Sequence, residues 1–303
     1  MLVAIAAAVA AVLAVCVAVW ILSPSGTQLA ERVQARVRLL GAHPVAVARV
    51  SPIFVQALVA TEDERFYKHS GIDVIGLARA IPYDLTHFSF AQGASTLTEQ
   101  VAKSIYLNGN DHTPWRKLED MALALKLERH HTKTQILDAY INITYFGAGA
   151  YGIASASSRY FGVSPRLLSL AQASLLAGLP QAPSADDPFL HPEAARDRQI
   201  DVLRSLVRVG AITAARAREV LHSPLRLRNG AVLPPIQDVS VSSGPLLSWP
   251  DALAGVGLAA AGLVAFKSRR RAKASTLRYA STGFSLCLFL LGIVTILRSL
   301  RSL

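Results

Sequence analysis

Three long apolar runs interrupt the pattern of hydrophobic and polar positions along the chain. Residues 3–22 are almost entirely Ala, Val, Leu and Ile, residues 246–266 carry the single charge of Asp251, and residues 279–297 carry none. About 20 such residues span a bilayer as one helix. The first run is longer than the apolar part of a signal peptide, and no Lys or Arg precedes it, which favours a retained anchor over a cleaved signal. The pattern predicts an N-terminal transmembrane helix and a C-terminal transmembrane hairpin.

The chain between the first two runs has the spacing of amphipathic helices. Within residues 115–130, apolar side chains recur at positions i, i+3, i+4 and i+7, which is typical of one buried helix face. Prolines at the first helical position open two further helices, at Pro165 and Pro192. Alternating strand patterns are few, so we expect a mainly α fold. The predicted organisation is an anchor over residues 1–28, a domain over residues 29–222, a linker over residues 223–245 and the hairpin over residues 246–303.

Composition narrows the class of protein. Of the 303 residues, 52% are hydrophobic and 17% are charged, whereas soluble domains carry about 25% charged residues. The chain is therefore too apolar to be wholly soluble or disordered. Much of the formal charge of +11 comes from residues 267–303, which hold eight Lys and Arg and no acid. A basic nucleic-acid groove is not indicated, and we expect no nucleic-acid partner. Both cysteines lie in apolar runs, which excludes a disulfide scaffold and a Cys-ligated zinc site.

The basic loop over residues 267–273 predicts the orientation in the membrane. Short loops rich in Lys and Arg stay in the cytoplasm, so the residues between the first two apolar runs are expected outside it. Arg32, Arg36 and Arg38 argue for the opposite orientation, but large domains cross membranes largely regardless of such charges. A basic tail lying on the membrane surface is the alternative to the hairpin.

Three polar clusters carry the candidate chemistry. Residues 61–73 contain three consecutive carboxylates and a histidine, a composition also typical of a solvated helix end. Residues 93–96 form a Gly-Ala-Ser-Thr turn that opens a helix, which suits either anion binding or an ordinary N-cap. Arg116 and Asp120 stand four residues apart and would also suit a surface salt bridge. Adjacent His130 and His131 leave a helix in different directions, so we expect no metal site there.

In their order and spacing, these clusters resemble glycosyltransferase family 51. Its members are peptidoglycan glycosyltransferases that occur as monofunctional enzymes and as the first domain of class A penicillin-binding proteins. The resemblance covers about residues 50–220 and rests on five ordered motifs. The motifs comprise Glu62, Asp63, Phe66, His69 and Gly71; Gly93–Thr98 with Gln100 and Lys103; Arg116, Lys117 and Asp120; Lys133–Ile153; and Ala173–Ser184.

The resemblance implies a lysozyme-like domain that polymerises lipid II into glycan strands with release of undecaprenyl diphosphate. Glu62 matches the general base, and Asp120 stands where the family has its second catalytic glutamate. The substrate-binding residues implied are Asp63, Phe66, His69, Gly93, Ser95, Thr96, Gln100, Lys103, Arg116 and Lys117. Mg²⁺ or Mn²⁺ is expected at the diphosphate, with ligands unknown and no organic cofactor. The expected partners are lipid II, the growing strand, the membrane and other cell-wall synthesis proteins.

The apolar runs and the basic loop predict a multi-pass protein with its catalytic domain on the extracytoplasmic face, and the resemblance places it in the bacterial cytoplasmic membrane. Three departures from the family pattern leave other readings open: Asp120 is one methylene shorter than glutamate, Glu99 replaces the first of two glutamines, and His112 stands near the position of a frequent arginine. The alternatives are a catalytically weak or inactive membrane scaffold that binds glycan or cell-wall synthases, and a lysozyme-like enzyme that cleaves glycan.

Overall fold

The computed structural model describes residues 2–77, 95–107, 113–237 and 241 of the chain. The predicted hairpin, part of the predicted linker, Gly93 and His112 lie outside the described residues. Within the described part the fold is mainly α, as the sequence pattern predicted. A short antiparallel pair of strands, β1 (Leu225–Arg226) and β2 (Val232–Leu233), follows the helices.

The helices whose bounds are described are numbered here in chain order. They are α1 (Leu2–Leu22), α2 (Leu29–Leu39), α3 (Pro52–Glu62), α4 (Leu97–Tyr106), α5 (Pro114–His130), α6 (Lys133–Ile143), α7 (Ile153–Phe161), α8 (Leu170–Gly178), α9 (Pro192–Arg208) and α10 (Ala214–His222).

Local sequence signals account for most of the helix starts. Thr96 caps α4 by accepting a hydrogen bond from the Glu99 amide at 3.1 Å, and Pro192 opens α9 as predicted. The helix predicted to start at Pro165 starts later. Pro165–Leu167 forms a single 3₁₀ turn, and α8 begins after Ser169, which forms a capping box with Gln172. The reciprocal capping bonds satisfy two amides, which makes Ser169 the better helix start.

The core consists of two sets of packed helices. Helix α3 packs against α8 and α9, while α4 packs against α5 and α6. Fully buried side chains from these helices include Phe54, Leu97, Leu123 and Ile141. Removing apolar area from water stabilises this packing by about 25 cal/mol per Å². Because side chains of all these helices share one core, the packing sets where the C-terminal end of α3 lies relative to the start of α4. The first two polar clusters of the sequence meet at that point.

Gly71 permits the close approach that completes this junction. Its φ is +91°, and a Cβ at this position would lie 2.7 Å from the carbonyl oxygen of Ala124 on α5. Only glycine adopts this conformation without strain and leaves room for the α5 backbone. The Gly71 carbonyl in turn accepts a hydrogen bond from Thr96 Oγ1 at 2.6 Å. The loop after α3, the start of α4 and the middle of α5 are therefore held together.

The N-terminal helix α1 is 21 residues long and contains no charged residue. Its C-terminal end lies against α5, where Lys126 Nζ donates to the carbonyl oxygens of Trp20 at 2.6 Å and Ser23 at 2.7 Å. Nearby, His131 Nε2 lies 2.8 Å from the Gly26 carbonyl oxygen, so this histidine has a structural contact. Counting only residues whose side chains the structure describes, no helix is long and apolar enough to cross a membrane.

Candidate active site

Glu62 is the last residue of α3, and its carboxylate meets a side chain from α4. Gln100 Nε2 donates to Glu62 Oε2 at 2.9 Å. The hydroxyl of Tyr140, on α6, donates to Gln100 Oε1 at 3.2 Å. These two bonds orient the glutamine amide, because its oxygen accepts and its nitrogen donates. Three helices therefore hold the predicted general base in one orientation.

The surroundings of Glu62 make its carboxylate a stronger base. Burial raises the pKa of Glu62 above its ordinary value, and the charge of Asp63 raises it further. The Gln100 hydrogen bond and the charge of Arg198 lower the same pKa. Sequence analysis assigned no role to Arg198 or to Tyr140. Tyr140 stands inside the fourth motif, but no pattern in the sequence links Arg198, on α9, to Glu62.

Asp63 ties the predicted catalytic segment to the next motif. Its side chain is buried, and its Oδ2 accepts a hydrogen bond from the backbone N–H of Leu97 at 3.0 Å. His69 Nε2 lies 2.9 and 3.1 Å from the two Asp63 oxygens, a geometry in which the ring N–H donates to the carboxylate. A carboxylate at the first turn of a helix also suits the helix dipole. In this structure Asp63 and His69 contact protein groups around the site.

Phe66 lies beneath the site rather than on its open side. Its side chain is fully buried in the core, and Lys133 Nζ lies 4.2 Å from the centre of its ring. The Lys133 charge is paired in turn with Glu128 at 2.6 Å. The predicted contact between Phe66 and substrate stays a prediction, and the observed contacts of its ring are with the protein interior.

An open cleft lies on the accessible side of Glu62. It has a volume of about 210 Å³, and its lining includes Thr61, Glu62, Ser95, Thr96 and Arg208. The hydroxyl oxygen of Thr61 is buried without a hydrogen-bond partner among the described residues. Sequence analysis did not single out Thr61 or Arg208. Three of the predicted substrate-binding residues, Asp63, Ser95 and Thr96, therefore share a cleft with the predicted base.

The edge of this cleft carries an ion pair between two segments distant in sequence. Arg208 Nε, at the end of α9, lies 3.1 Å from Glu64 Oε2. Both side chains are about one-third exposed, so the pair is worth little to stability. Its position places a charge of each sign beside Glu62.

Lys117 and Glu99 form an ion pair beside the start of α4. Lys117 Nζ donates to a Glu99 carboxylate oxygen and also to Ser95 Oγ at 2.8 Å. The Glu99 side chain is only 4% exposed. Burial raises the pKa of Glu99, as do the charges of Asp120 and Asp63, while Lys117 lowers it. Lys117, one of the two predicted cations on α5, is thus held by the Glu99 carboxylate on α4.

Arg116 and Asp120 lie side by side on α5 without a close hydrogen bond. Arg116 Nε is 3.7 Å from Asp120 Oδ1, and both side chains are largely buried. Among the described residues, Arg116 Nε and Nη2 and Asp120 Oδ1 have no hydrogen-bond partner. Burial raises the pKa of Asp120, whereas the charges of Lys117, Arg116 and Lys103 lower it. Three of the predicted cations therefore face the second predicted carboxylate.

The tertiary structure thus gathers the predicted residues into two adjoining groups. One group is the cleft at the end of α3, and the other is the cluster of cations and carboxylates on α4 and α5. The described residues contain no cluster of three or more His, Cys, Asp or Glu side chains able to hold a metal ion.

This arrangement suits a reaction that removes a proton and releases an anion. The Glu62 carboxylate can accept a proton from a hydroxyl group in the cleft. Positive charge on α4 and α5, with buried Arg116 donors lacking partners, can stabilise a departing anionic group. Hydrolysis of a glycan would need a carboxylic acid at Glu62, and it would leave the cations without a function.

Comparisons with known proteins show the family to which the chain belongs. The family model described as Transglycosylase matches residues 31–207. A Cupriavidus necator protein named provisionally as a transglycosylase is 44% identical over 184 residues, which cover 61% of this chain and 79% of that protein. Penicillin-binding protein 1A of Neisseria lactamica is 44% identical over 169 residues, or 56% of this chain. Penicillin-binding protein 2D of Bacillus subtilis is 39% identical over 181 residues, or 60% of this chain.

The extent of these matches differs between relatives. This chain spans only 21% of the Neisseria protein and 26% of the Bacillus protein. A crystal structure of penicillin-binding protein 1A from Haemophilus influenzae matches 61% of this chain and 18% of its own, at 22% identity and a TM-score of 0.38. That structural likeness is too low to carry an argument. The residues that the family model matches, 31–207, contain both groups of predicted site residues.

Proposed function

This chain belongs to the transglycosylase family of peptidoglycan glycosyltransferases, and we propose that it polymerises lipid II into glycan strands at the outer face of a bacterial cytoplasmic membrane. The incoming sugar's 4-hydroxyl attacks the anomeric carbon of the growing strand. The hydroxyl proton passes to the Glu62 carboxylate, and the bond between the anomeric carbon and the diphosphate oxygen breaks. Undecaprenyl diphosphate leaves, and the anomeric configuration inverts.

The observation that carries this proposal is the fixed position of Glu62 beside an open cleft. Gln100 and Tyr140 orient the carboxylate, and burial raises its pKa. A positioned base of raised pKa accepts a hydroxyl proton more readily than an exposed carboxylate. Ser95 and Thr96 line the same cleft and would contact the sugar or its phosphates.

The cluster on α4 and α5 supports the proposal for the leaving group. The charges of Lys117, Arg116 and Lys103 all lower the pKa of Asp120, and Asp120 would hold Arg116 and Lys103 toward the diphosphate. The charge that develops on a departing diphosphate is stabilised by fixed cations in a site that excludes water. Mg²⁺ or Mn²⁺ at the diphosphate would supply further positive charge to the departing group.

A membrane location follows from the substrate that we propose. The lipid carrier of lipid II stays in the bilayer, so the enzyme must work at the membrane surface. The uncharged helix α1 would anchor the domain there. The basic loop over residues 267–273 would lie in the cytoplasm, with the catalytic domain on the other side. Other cell-wall synthesis proteins are the expected neighbours.

Purified full-length protein incubated with lipid II tests the proposal. We expect long glycan strands from the wild type and none from Glu62→Gln. Short fragments released from preformed strands would instead indicate glycan cleavage.

The membrane scaffold is the second candidate, and a specific observation favours it. Glu99 pairs with Lys117, which reduces the positive charge offered to a diphosphate. Binding of lipid II or glycan strands without any polymer would support the scaffold and contradict the proposed activity.

A further inference from the structure

The strongest unassigned feature of the site is the carboxylate of Glu99. The sequence has glutamate here, where the family pattern that it resembles has glutamine. Glu99 lies in the first turn of α4, and its side chain is 4% exposed. Its described side-chain partner is the ammonium group of Lys117 on α5. A charged group has thus been placed in the interior beside one of the predicted diphosphate cations.

The ion pair leaves Lys117 little freedom to serve another anion. Lys117 Nζ donates to Ser95 Oγ at 2.8 Å as well as to Glu99. Moving the ammonium group onto a diphosphate would leave Glu99 buried without a partner, which is strongly destabilising. The nearby charges of Asp63 and Asp120 both disfavour the ionised form of Glu99. These charges add to the cost of removing Lys117.

Arg116 faces two carboxylates, but neither lies within hydrogen-bond distance: its Nη1 is 3.8 Å from Glu119 Oε2 and its Nε is 3.7 Å from Asp120 Oδ1. Its Nε and Nη2 atoms are buried and have no hydrogen-bond partner among the described residues. Buried polar groups in native proteins nearly always have a hydrogen-bond partner. These two N–H groups are therefore expected to bind an acceptor. Asp120 does not supply it, because the separation of 3.7 Å exceeds a hydrogen bond. An anionic oxygen beside Arg116 would satisfy both donors.

We propose that Glu99 is an internal counter-ion that withholds Lys117 from the substrate's diphosphate, so that Arg116 is the principal diphosphate-binding cation at the start of α5. Glu99 is a positioning residue in this scheme, since it acts through Lys117 and does not touch the substrate. The inference rests on the proposed function, because that function supplies the diphosphate. It predicts that the site binds diphosphate more weakly than its number of cations suggests.

Binding of inorganic pyrophosphate to the full-length protein tests this without requiring polymerisation. Titration calorimetry at fixed ionic strength would compare the wild type with Glu99→Gln, which keeps the side-chain shape and frees the lysine. We expect pyrophosphate to bind about tenfold more tightly to Glu99→Gln, which is the gain from one additional charged hydrogen bond. The double variant Glu99→Gln/Lys117→Gln should return the affinity to that of the wild type, and Arg116→Gln should lose most of it.

Glu128→Gln is the matched control. Glu128 is also a buried glutamate paired with a lysine, Lys133, at 2.6 Å, but this pair lies beneath the site. Its variant should change the melting temperature without changing pyrophosphate affinity. A purely structural role for Glu99 would likewise lower the melting temperature and give no gain in affinity.

Two results would overturn the inference. One is unchanged or weaker pyrophosphate binding by folded Glu99→Gln. The other is a large loss of binding in the double variant, which would make Lys117 the principal cation and would decide the question even if Glu99→Gln alone fails to fold. Failure of the proposed function is a separate outcome. A wild type that forms no glycan strands, together with a tenfold gain in Glu99→Gln, would contradict the polymerase and keep the inference.

Discussion

Gln100 Nε2 donates to Glu62 Oε2 at 2.9 Å, which joins two motifs that lie 38 residues apart in the chain. The bond orients the Glu62 carboxylate and favours its ionised form. Tyr140 completes the arrangement by donating to the other end of the glutamine amide. The amide therefore acts on the base in this structure, and the contact between Gln100 and substrate that the resemblance implies stays a prediction.

Replacing Gln100 should change the pH dependence of polymerisation. In Gln100→Leu the Glu62 carboxylate loses a donor to its charged form, so the pKa of Glu62 rises further. The acid limb of the rate profile should then move to higher pH, because the base must be ionised to act. Rates measured across pH with the purified protein check this. Tyr140→Phe keeps the bond from Gln100 to Glu62 and should move the acid limb less. An equal shift in both variants would contradict a direct effect of the Gln100 bond on Glu62.

Glu62→Gln should lower the rate of polymerisation and, above the pKa of Glu62, raise the melting temperature. Removing a general base costs about 10²–10⁴-fold in rate. Because the folded-state pKa of Glu62 is raised, the folded protein holds this proton more tightly than the unfolded chain does. The group's contribution to stability is therefore full at low pH and is lost as pH rises through the raised pKa. The glutamine variant should melt at a higher temperature than the wild type above that pKa, and the advantage should disappear in acid.

The neighbouring Glu64 provides the control for that experiment. It lies at the edge of the same cleft but is about one-third exposed and is paired with Arg208. Glu64→Gln should keep polymerisation close to the wild-type rate and alter the melting temperature little. A loss of activity as large as that of Glu62→Gln would remove the distinction between the two carboxylates.

Two substitutions at Asp120 separate a catalytic carboxylate from a structural one. Asp120→Glu should preserve or raise polymerisation, because it restores the missing methylene at the same charge. Asp120→Ala should lose most activity, since Arg116, Lys117 and Lys103 lose the carboxylate that they face. Rates measured beside thermal melts check this. Full turnover by a folded Asp120→Ala would leave Glu62 as the only catalytic carboxylate of the two.

Lys126 should fix helix α1 to the domain. Its ammonium group donates to two carbonyl oxygens and to Ser23 Oγ, and Lys126→Met keeps the length but removes every donor. Leaving these acceptors unpaired should cost about 1.5–3 kcal/mol and should speed amide hydrogen exchange over residues 20–26. Arg129→Met is the control, because Arg129 is exposed and its guanidinium lies 5.7 Å from the Trp20 ring. Equal rates of amide hydrogen exchange in both variants would show that Lys126 does not specifically fix α1 to the domain.

Orientation in the membrane has its own test. A reporter active only outside the cytoplasm should be active when inserted near Asn229 and silent when inserted at Ser268. The prediction follows from the basic loop over residues 267–273. The reverse pattern would exclude an extracytoplasmic substrate and with it the proposed function.

Local signals explain how much of the fold the sequence could predict. The apolar repeat over residues 115–130 corresponds to α5 (Pro114–His130), and Pro192 opens α9 as expected. The helix start predicted at Pro165 was wrong, because a proline favours the first helical position but does not guarantee that a helix continues. Ser169 and Gln172 supply the stronger start through two reciprocal bonds. Such signals act over a few residues, which is why they can be read from the chain alone.

The sequence by itself determined the helical class and the family, and it predicted Glu62 and Asp120 as the catalytic carboxylates, because these inferences depend on residue types at short, ordered spacings. Only the tertiary structure decided which side chains meet. Leu97 reaches Asp63 across 34 residues, Arg198 acts on Glu62 from α9, and Lys117 pairs with Glu99 rather than standing free. These contacts depend on how whole helices pack, and packing is set by the burial of apolar faces along the entire domain. Glu99, which in the sequence is a departure from the family pattern, is in the folded protein the partner of Lys117, a predicted substrate-binding cation.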